Sequence, residues 1–193
     1  AVLYRTNAQS RVVEEAFMRL GIPYQVVGGT RFYDRREIRD AMAYLRAAVN
    51  PADEVSVKRA LGVPKRGIGD ASIARLDSFA ADNGIGFLDA ARRCDEAHVS
   101  GRARHGLDAF CELIDSARAL MTADDPVGPG DLLQHLLDGS GYLRELEDAD
   151  TIESHGRLEN LGELVGSARE FVDIDEFLEQ VSLVADTDEL GGD

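Results

Sequence analysis

Signals for β-strands occupy only about the first 28 residues of this 193-residue chain, and this restriction limits its fold more than any other feature. Residues 1–5 (AVLYR) and 24–27 (YQVV) are short apolar runs typical of buried strands. A helical pattern lies between them, with Asn7 or Ser10 as its cap and Gly21 as its stop. Strand, helix and strand in this order predict a βαβ unit with two parallel strands. Because two strands cannot cover a parallel sheet, we expect either further strands elsewhere or an edge position.

The rest of the chain carries helical periodicity. A capping box, Asp34-x-x-Glu37, opens a helix that ends at Asn50-Pro51, and Asp70 is expected to cap a helix that runs to Asn83. Further apolar-periodic segments lie near residues 53–61, 86–93, 101–121, 130–138, 156–172 and 174–184. The predicted fold class is mainly α: a bundle-like helical part with a helix-hairpin-helix element, preceded by a short βαβ piece of an α/β domain.

Composition excludes several classes of protein. No apolar stretch approaches the ~20 residues of a membrane helix, and no signal peptide is evident, so we expect a cytoplasmic protein without membrane contact. The formal charge of −15 is uneven: residues 1–75 hold 13 Lys/Arg and 8 Asp/Glu, whereas residues 76–193 hold 8 and 28. This asymmetry predicts a polyanion contact at one end only, although acidic helix faces also serve solubility. The four histidines lack metal-ligand spacing, and no metal site is predicted.

Tyr4 and Arg5 end the first predicted strand. Ligands of open parallel sheets bind beyond the carboxyl ends of the strands, where an arginine could stabilise a γ-phosphate and a tyrosine could stack on a base. The alternative is an amphipathic exit from a core. The sequence has no GxxxxGK[ST] loop, so it cannot hold a triphosphate by itself.

A basic, glycine-rich segment between two predicted helices is the second candidate. Its glycines would let the backbone approach a DNA phosphate, and its cations would add a salt-sensitive attraction. The alternative is a glycine-rich turn with two solvated cations. The candidate DNA-binding residues are Lys65, Arg66, Gly67, Ile68, Gly69 and Ser72.

The two cysteines have different surroundings. Cys111 lies at apolar helical spacing and is predicted to be an inert core residue. Cys94 lies in a polar stretch, so we expect it to be exposed, with Arg92 and Arg93 favouring its thiolate. An exposed thiol could cross-link two copies through a Cys94–Cys94 disulfide; the alternative is a tolerated surface cysteine.

Taken in chain order, these motifs resemble the UvrD/PcrA-type superfamily 1A DNA helicases. The resemblance to helicase motif IV lies in AVLYRTNAQSRVVEEAF, and that to the following segment in IPYQVVGGTRFYDRREIRDAMAYLR. The family's GIG element is matched by PKRGIGDASI, and later signatures by SGYLRELE and RLENLGELV. The resemblance implies two RecA-like motor domains, 1A and 2A, with inserted subdomains 1B and 2B. The arginine-rich composition points to a GC-rich bacterium.

This mapping implies a domain organisation. Residues 1–50 would be the N-terminal part of the RecA-like domain 2A, with motif IV. Residues 51–185 would hold connecting helices, the GIG hairpin and the helical domain 2B, with a boundary between residues 50 and 100. Residues 186–193 would form an acidic tail. Walker A, Walker B and motifs V and VI do not occur in the sequence, so we expect this chain alone to bind no cofactor and to hydrolyse no ATP.

The resemblance also implies residue roles. Tyr4 would stack on the base of ATP, and Arg5 would be the arginine finger that reaches its γ-phosphate, with ATP and Mg²⁺ bound by the full-length parent. The hairpin would grip and orient duplex DNA. No role is assigned to the signature residues Arg31, Arg35, Glu37, Arg157, Glu159 and Asn160.

The expected function is therefore part of an ATP-dependent 3′-to-5′ DNA helicase of repair or replication. Its partners would be a DNA junction and the remaining motor domains. The alternative is a module for self-association, or for docking repair proteins or RNA polymerase, with little DNA contact. A stand-alone helix-hairpin-helix protein is disfavoured by the isolated βαβ unit.

Overall fold

The structure, a computed structural model, describes residues 1–26 and 29–186. Within these ranges the chain is helical. A 3₁₀-helix at Asn7–Gln9 is followed by α1 (Ser10–Arg19), α2 (Arg36–Val49), α3 (Glu54–Leu61), α4 (Asp70–Asn83), α5 (Phe87–Arg92), α6 (Gly101–Met121), α7 (Pro129–Ser140), α8 (Tyr142–Ala149), α9 (Ile152–Ala168) and α10 (Ile174–Asp186). Among the described residues, no helix is long and apolar enough to cross a membrane.

The two predicted strands do not form in the described part of the chain. Residues 1–4 and 22–26 have no regular secondary structure, whereas the helix predicted between them is present as α1. Val27 and Gly28, at the end of the second predicted strand, lie outside the described residues. A strand needs a neighbour for its N–H and C=O groups, and two short candidates without further strands give a sheet too small to be stable. Val2 and Leu3 are accordingly 52% and 94% exposed.

Most helices match the periodicity, and the differences have local causes. The N-cap of α4 is Gly69, so Asp70 is the first helical residue and not the predicted cap. The helix α9 begins earlier than predicted because Thr151 and Ser154 form a capping box, with both hydrogen bonds at 3.0 Å. The prediction lacks the short helix α8, although its apolar residues Tyr142, Leu146 and Ala149 recur at helical spacing.

The chain divides into two compact units. The first unit comprises Ala1–Arg39, Gly128–Asp131 and the chain from Leu146 onward. Its large buried apolar side chains include Phe32, Ile38, Leu161, Leu164, Val165, Phe177 and Val181. Two of the signature residues without an assigned role meet in this unit, since the Asn160 amide donates a hydrogen bond to Glu37 at 2.6 Å. Both side chains are buried, which indicates a structural role for this pair.

The second unit comprises Asp40–Val127 and Leu132–Glu145. In it α5 packs against α3, α4 and α6. Its largest fully buried side chains are Tyr44, Leu45, Leu61, Leu76, Phe87, Leu88, Leu107, Phe110 and Ile114. The Arg118 guanidinium donates to the carbonyl of Ala48 at 2.7 Å, which satisfies an acceptor at the end of α2.

The predicted limits of domains 2A and 2B stay a prediction. Residues 187–193 of the expected acidic tail lie outside the described residues.

Candidate nucleic-acid interface

The hairpin of the second unit is the segment from Gly62 to Gly69, which joins α3 to α4. Gly62 is the C-cap of α3, and its N–H donates to the carbonyls of Lys58 and Arg59 at 3.2 and 3.1 Å. Gly69 is the N-cap of α4, and its carbonyl accepts from the Ser72 N–H at 2.9 Å. Both helix ends that flank the hairpin are therefore fixed by local hydrogen bonds.

Arg66 points into the unit from the middle of the hairpin. Its guanidinium donates to five acceptors, at distances between 2.5 and 3.3 Å. These acceptors are the carbonyls of Ala60, Leu61, Pro64 and Ser140 and the hydroxyl of Tyr44. Nη1 donates to the carbonyls of Ala60, Leu61 and Pro64, and Nη2 donates to Tyr44 and Ser140, so both terminal nitrogens of the guanidinium are engaged. The structure thus gives this predicted DNA-binding residue five acceptors inside the protein.

Two aromatic rings complete the surroundings of Arg66. Its guanidinium carbon lies 5.8 Å from the ring centroid of Tyr44 and 5.6 Å from that of Phe110. The Tyr44 hydroxyl donates in turn to the carbonyl of Val63. Burial raises the pKa of the Tyr44 phenol, although Arg66 acts in the opposite direction, and the phenol stays a neutral donor. Arg66 and Tyr44 therefore tie the hairpin to α2, α6 and the end of α7.

The remaining hairpin residues divide between the surface and the neighbouring helix. Lys65 is exposed and, within the described residues, has no hydrogen-bond or ion-pair partner. Ile68 is half-buried and approaches Gly106 of α6, where an added Cβ would lie 3.3 Å from Ile68 Cδ1 and 2.6 Å from the Arg66 carbonyl oxygen. Only a glycine at position 106 lets the hairpin come this close. The hairpin therefore lies against α6 and turns Lys65 to solvent.

Gly67 has a backbone conformation that favours glycine, with φ at +76°. Its open side is covered by Arg102, from the first turn of α6, because an added Cβ would lie 2.7 Å from Arg102 Cδ. No sequence motif includes Arg102. Arg102 becomes a candidate only through its contact with Gly67, which lies 35 positions earlier in the chain. No pattern in the local sequence indicates this contact.

Tyr4 and Arg5 belong to the first unit and precede α1. Tyr4 is 38% exposed and borders a cavity of about 540 Å³ that is also lined by Val13, Phe17 and Tyr24. The backbone N–H of Arg5 donates to Gln9 Oε1 at 3.0 Å, and its side chain is exposed. The Arg5 guanidinium has no partner in the described part of the chain.

The prediction that Cys94 is exposed is wrong. Cys94 is 3% exposed, and its thiol lies 3.9 Å from Asp108 Oδ1. Burial and the nearby carboxylate of Asp108 raise the pKa of the thiol, which opposes the thiolate expected from Arg92 and Arg93. Those arginines are bound instead to carboxylates of their own. A disulfide between two copies thus lacks the accessible thiol that it requires.

Cys111 is buried as predicted, and burial raises the pKa of its thiol to about 12. Among the described residues, no three histidine, cysteine, aspartate or glutamate side chains lie close enough to hold a metal ion.

Comparison with known proteins gives consistent matches. Residues 1–98 match the family described as the UvrD-like helicase C-terminal domain. The chain is 41% identical over 196 residues to the ATP-dependent DNA helicase PcrA of Bacillus subtilis, covering 98% of this chain and 26% of that protein. It is 42% identical over 213 residues to the ATP-dependent DNA helicase UvrD1 of Mycobacterium tuberculosis, covering 98% and 27%. With PcrA of Staphylococcus aureus it shares 39% over 197 residues, covering 98% and 27%. The chain thus spans about a quarter of the length of these relatives.

Proposed function

The chain belongs to the UvrD/PcrA-type family of DNA helicases, and from this membership we propose that it forms part of an ATP-dependent DNA helicase and holds duplex DNA by the hairpin of its second unit. The relatives carry the name of ATP-dependent DNA helicases, which supports the activity of the whole protein. The direction of unwinding, 3′-to-5′, and a role in repair or replication belong to the same proposal.

The observation that supports a DNA contact is that Lys65 and Arg66, although adjacent, have different surroundings. Lys65 is exposed and has no partner among the described residues, whereas Arg66 is bound to five protein acceptors. A cation without a carboxylate partner is free to displace counterions from a phosphate backbone. We assign the direct contact to Lys65 and to the backbone of Gly67 and Gly69, and the support of the hairpin to Arg66.

Tyr4 and Arg5 form a second, separate part of the proposal. An exposed arginine without a described partner suits a finger that reaches the γ-phosphate of ATP held by another domain. Tyr4, beside its cavity, suits stacking on the base. ATP and Mg²⁺ would be held mainly by motor residues that this sequence does not contain.

The test is fluorescence anisotropy of the chain with a duplex that bears a 3′ single-stranded tail, measured across a salt series. Lys65→Ala should weaken binding and reduce the slope of log K against log salt by about one, because one phosphate contact is lost. The matched control is Lys58→Ala in the same unit. Lys58 lies 2.6 Å from Asp77 and 3.3 Å from Glu54, so its charge is already paired and its removal should leave the slope unchanged.

Two results would overturn the DNA contact. One is the absence of binding at low salt, and the other is equal binding by wild type and Lys65→Ala. Either result would favour the alternative, a module for self-association or for docking proteins such as repair factors or RNA polymerase.

A further inference from the structure

Arg102 lies on the hairpin although it is distant in sequence. It follows Gly101 in the first turn of α6, and its aliphatic stem crosses the open face of Gly67. An added Cβ on Gly67 would lie 2.7 Å from Arg102 Cδ, 2.8 Å from Cγ and 2.9 Å from Nε. The positive φ of Gly67 favours glycine, and the arginine stem packs on the face that a Cβ would occupy. The guanidinium of Arg102 is thereby presented at the same surface as the hairpin backbone.

The charge of Arg102 is not neutralised by the protein. Arg102 is exposed and has no hydrogen bond or ion pair within the described residues. Two residues further along α6, Arg104 lies 2.9 Å from Asp95 and 3.6 Å from Asp108. The chain has 36 Asp and Glu against 21 Lys and Arg, so carboxylate partners are abundant. A free guanidinium in such a chain, set against a hairpin with an equally free lysine, points to an external anion.

We propose that Arg102 is a second phosphate-binding residue, so that α6 and the hairpin together hold the backbone of duplex DNA. This inference rests on the proposed function of the hairpin and extends it to a residue from another element. A guanidinium can bind two oxygens of one phosphate, which a lysine ammonium cannot do with the same fixed geometry. The contact carries no information on base sequence, so it should act on duplexes of any sequence.

The test compares Arg102→Gln with Arg104→Gln in the anisotropy assay of the whole chain. Glutamine keeps an aliphatic stem that can pack on Gly67 and a polar end, but it removes the charge. Arg102→Gln should reduce the salt slope by about 0.9, so that the wild-type advantage in affinity shrinks about 3.5-fold for each fourfold rise in salt. Arg104→Gln should leave the slope unchanged, and Arg102→Lys should restore most of it.

The outcomes separate this inference from the function on which it rests. If Lys65→Ala lowers the slope but Arg102→Gln behaves like Arg104→Gln, the role of Arg102 is refuted and the DNA-binding hairpin stands. If neither Lys65→Ala nor Arg102→Gln changes binding, both proposals fail. A lowered slope in Arg102→Gln that Arg102→Lys does not restore would also overturn the inference, since a phosphate contact depends on the positive charge.

Discussion

Replacement of Arg66 by lysine tests whether this residue supports the hairpin or contacts DNA. The guanidinium donates to four carbonyls and to the Tyr44 hydroxyl. A lysine ammonium has three donors, so at least two acceptors lose their partner. A hydrogen bond from a charged group contributes about 1.5–3 kcal/mol, and two such losses, one of them at the weaker distance of 3.3 Å, amount to about 3 kcal/mol. For a chain of this size, that loss lowers the melting temperature by about 6–12 °C.

The assay is thermal unfolding followed by far-UV circular dichroism, which suits a helical chain without tryptophan. Arg104→Lys is the matched control, because the Arg104 side chain is 47% exposed and its ion pairs lie at the surface. Its effect should stay below about 1 kcal/mol. The supporting role of Arg66 is refuted if Arg66→Lys melts at the wild-type temperature and keeps wild-type affinity and salt slope for DNA. A charge at position 66 would then suffice, as a direct phosphate contact requires.

Gly106 and Cys94, both in the second unit, give two further predictions. In urea unfolding, Gly106→Ala should destabilise the chain by about 1–3 kcal/mol, since the new Cβ would lie 2.6 Å from the Arg66 carbonyl oxygen. The control is Gly162→Ala in α9, where an added Cβ meets no atom within 4 Å, so this variant should be neutral or stabilising. Cys94 should react with iodoacetamide much more slowly than a free cysteine at neutral pH, and the chain should run as a monomer on non-reducing gels. Fast alkylation of Cys94, followed by mass spectrometry, would contradict the burial of this thiol. A dimer band that disappears in Cys94→Ser would contradict it as well.

The helices could largely be predicted from sequence because their apolar spacing is local. The periodicity of residues 101–121 matches α6 to the residue, and 53–61 differs from α3 by one position. The predicted strands failed for a non-local reason, since a strand depends on neighbours that the pattern of its own residues does not supply. The same holds for Cys94, whose polar sequence neighbours suggested exposure although its contacts place it near Asp108.

At the candidate interface, sequence could identify the hairpin but not the orientation of its side chains. Lys65 and Arg66 are adjacent and both cationic, so the pattern gave them the same role. Their difference arises from Tyr44, 22 positions before Arg66, and from Ser140, 74 positions after it, and neither was part of the motif. Arg102 was missed for the corresponding reason, because its relation to Gly67 exists only once α6 lies against the hairpin.

The arrangement around α6 explains how an acidic chain can hold a polyanion at one place. Residues 76–193 carry 28 acidic and 8 basic side chains, so most of this sequence repels DNA. Cations paired with carboxylates, such as Arg104 and Lys58, offer little net attraction. Lys65 and Arg102 differ from these paired cations, because neither forms an ion pair with a carboxylate in the described part of the chain. Since Arg66 fixes the hairpin from inside and Arg102 covers Gly67, both free charges are held on structured elements, and less conformational entropy is lost when a phosphate binds. The proposed contact therefore depends on where the protein leaves its cations unpaired, and the net charge of the chain does not predict it.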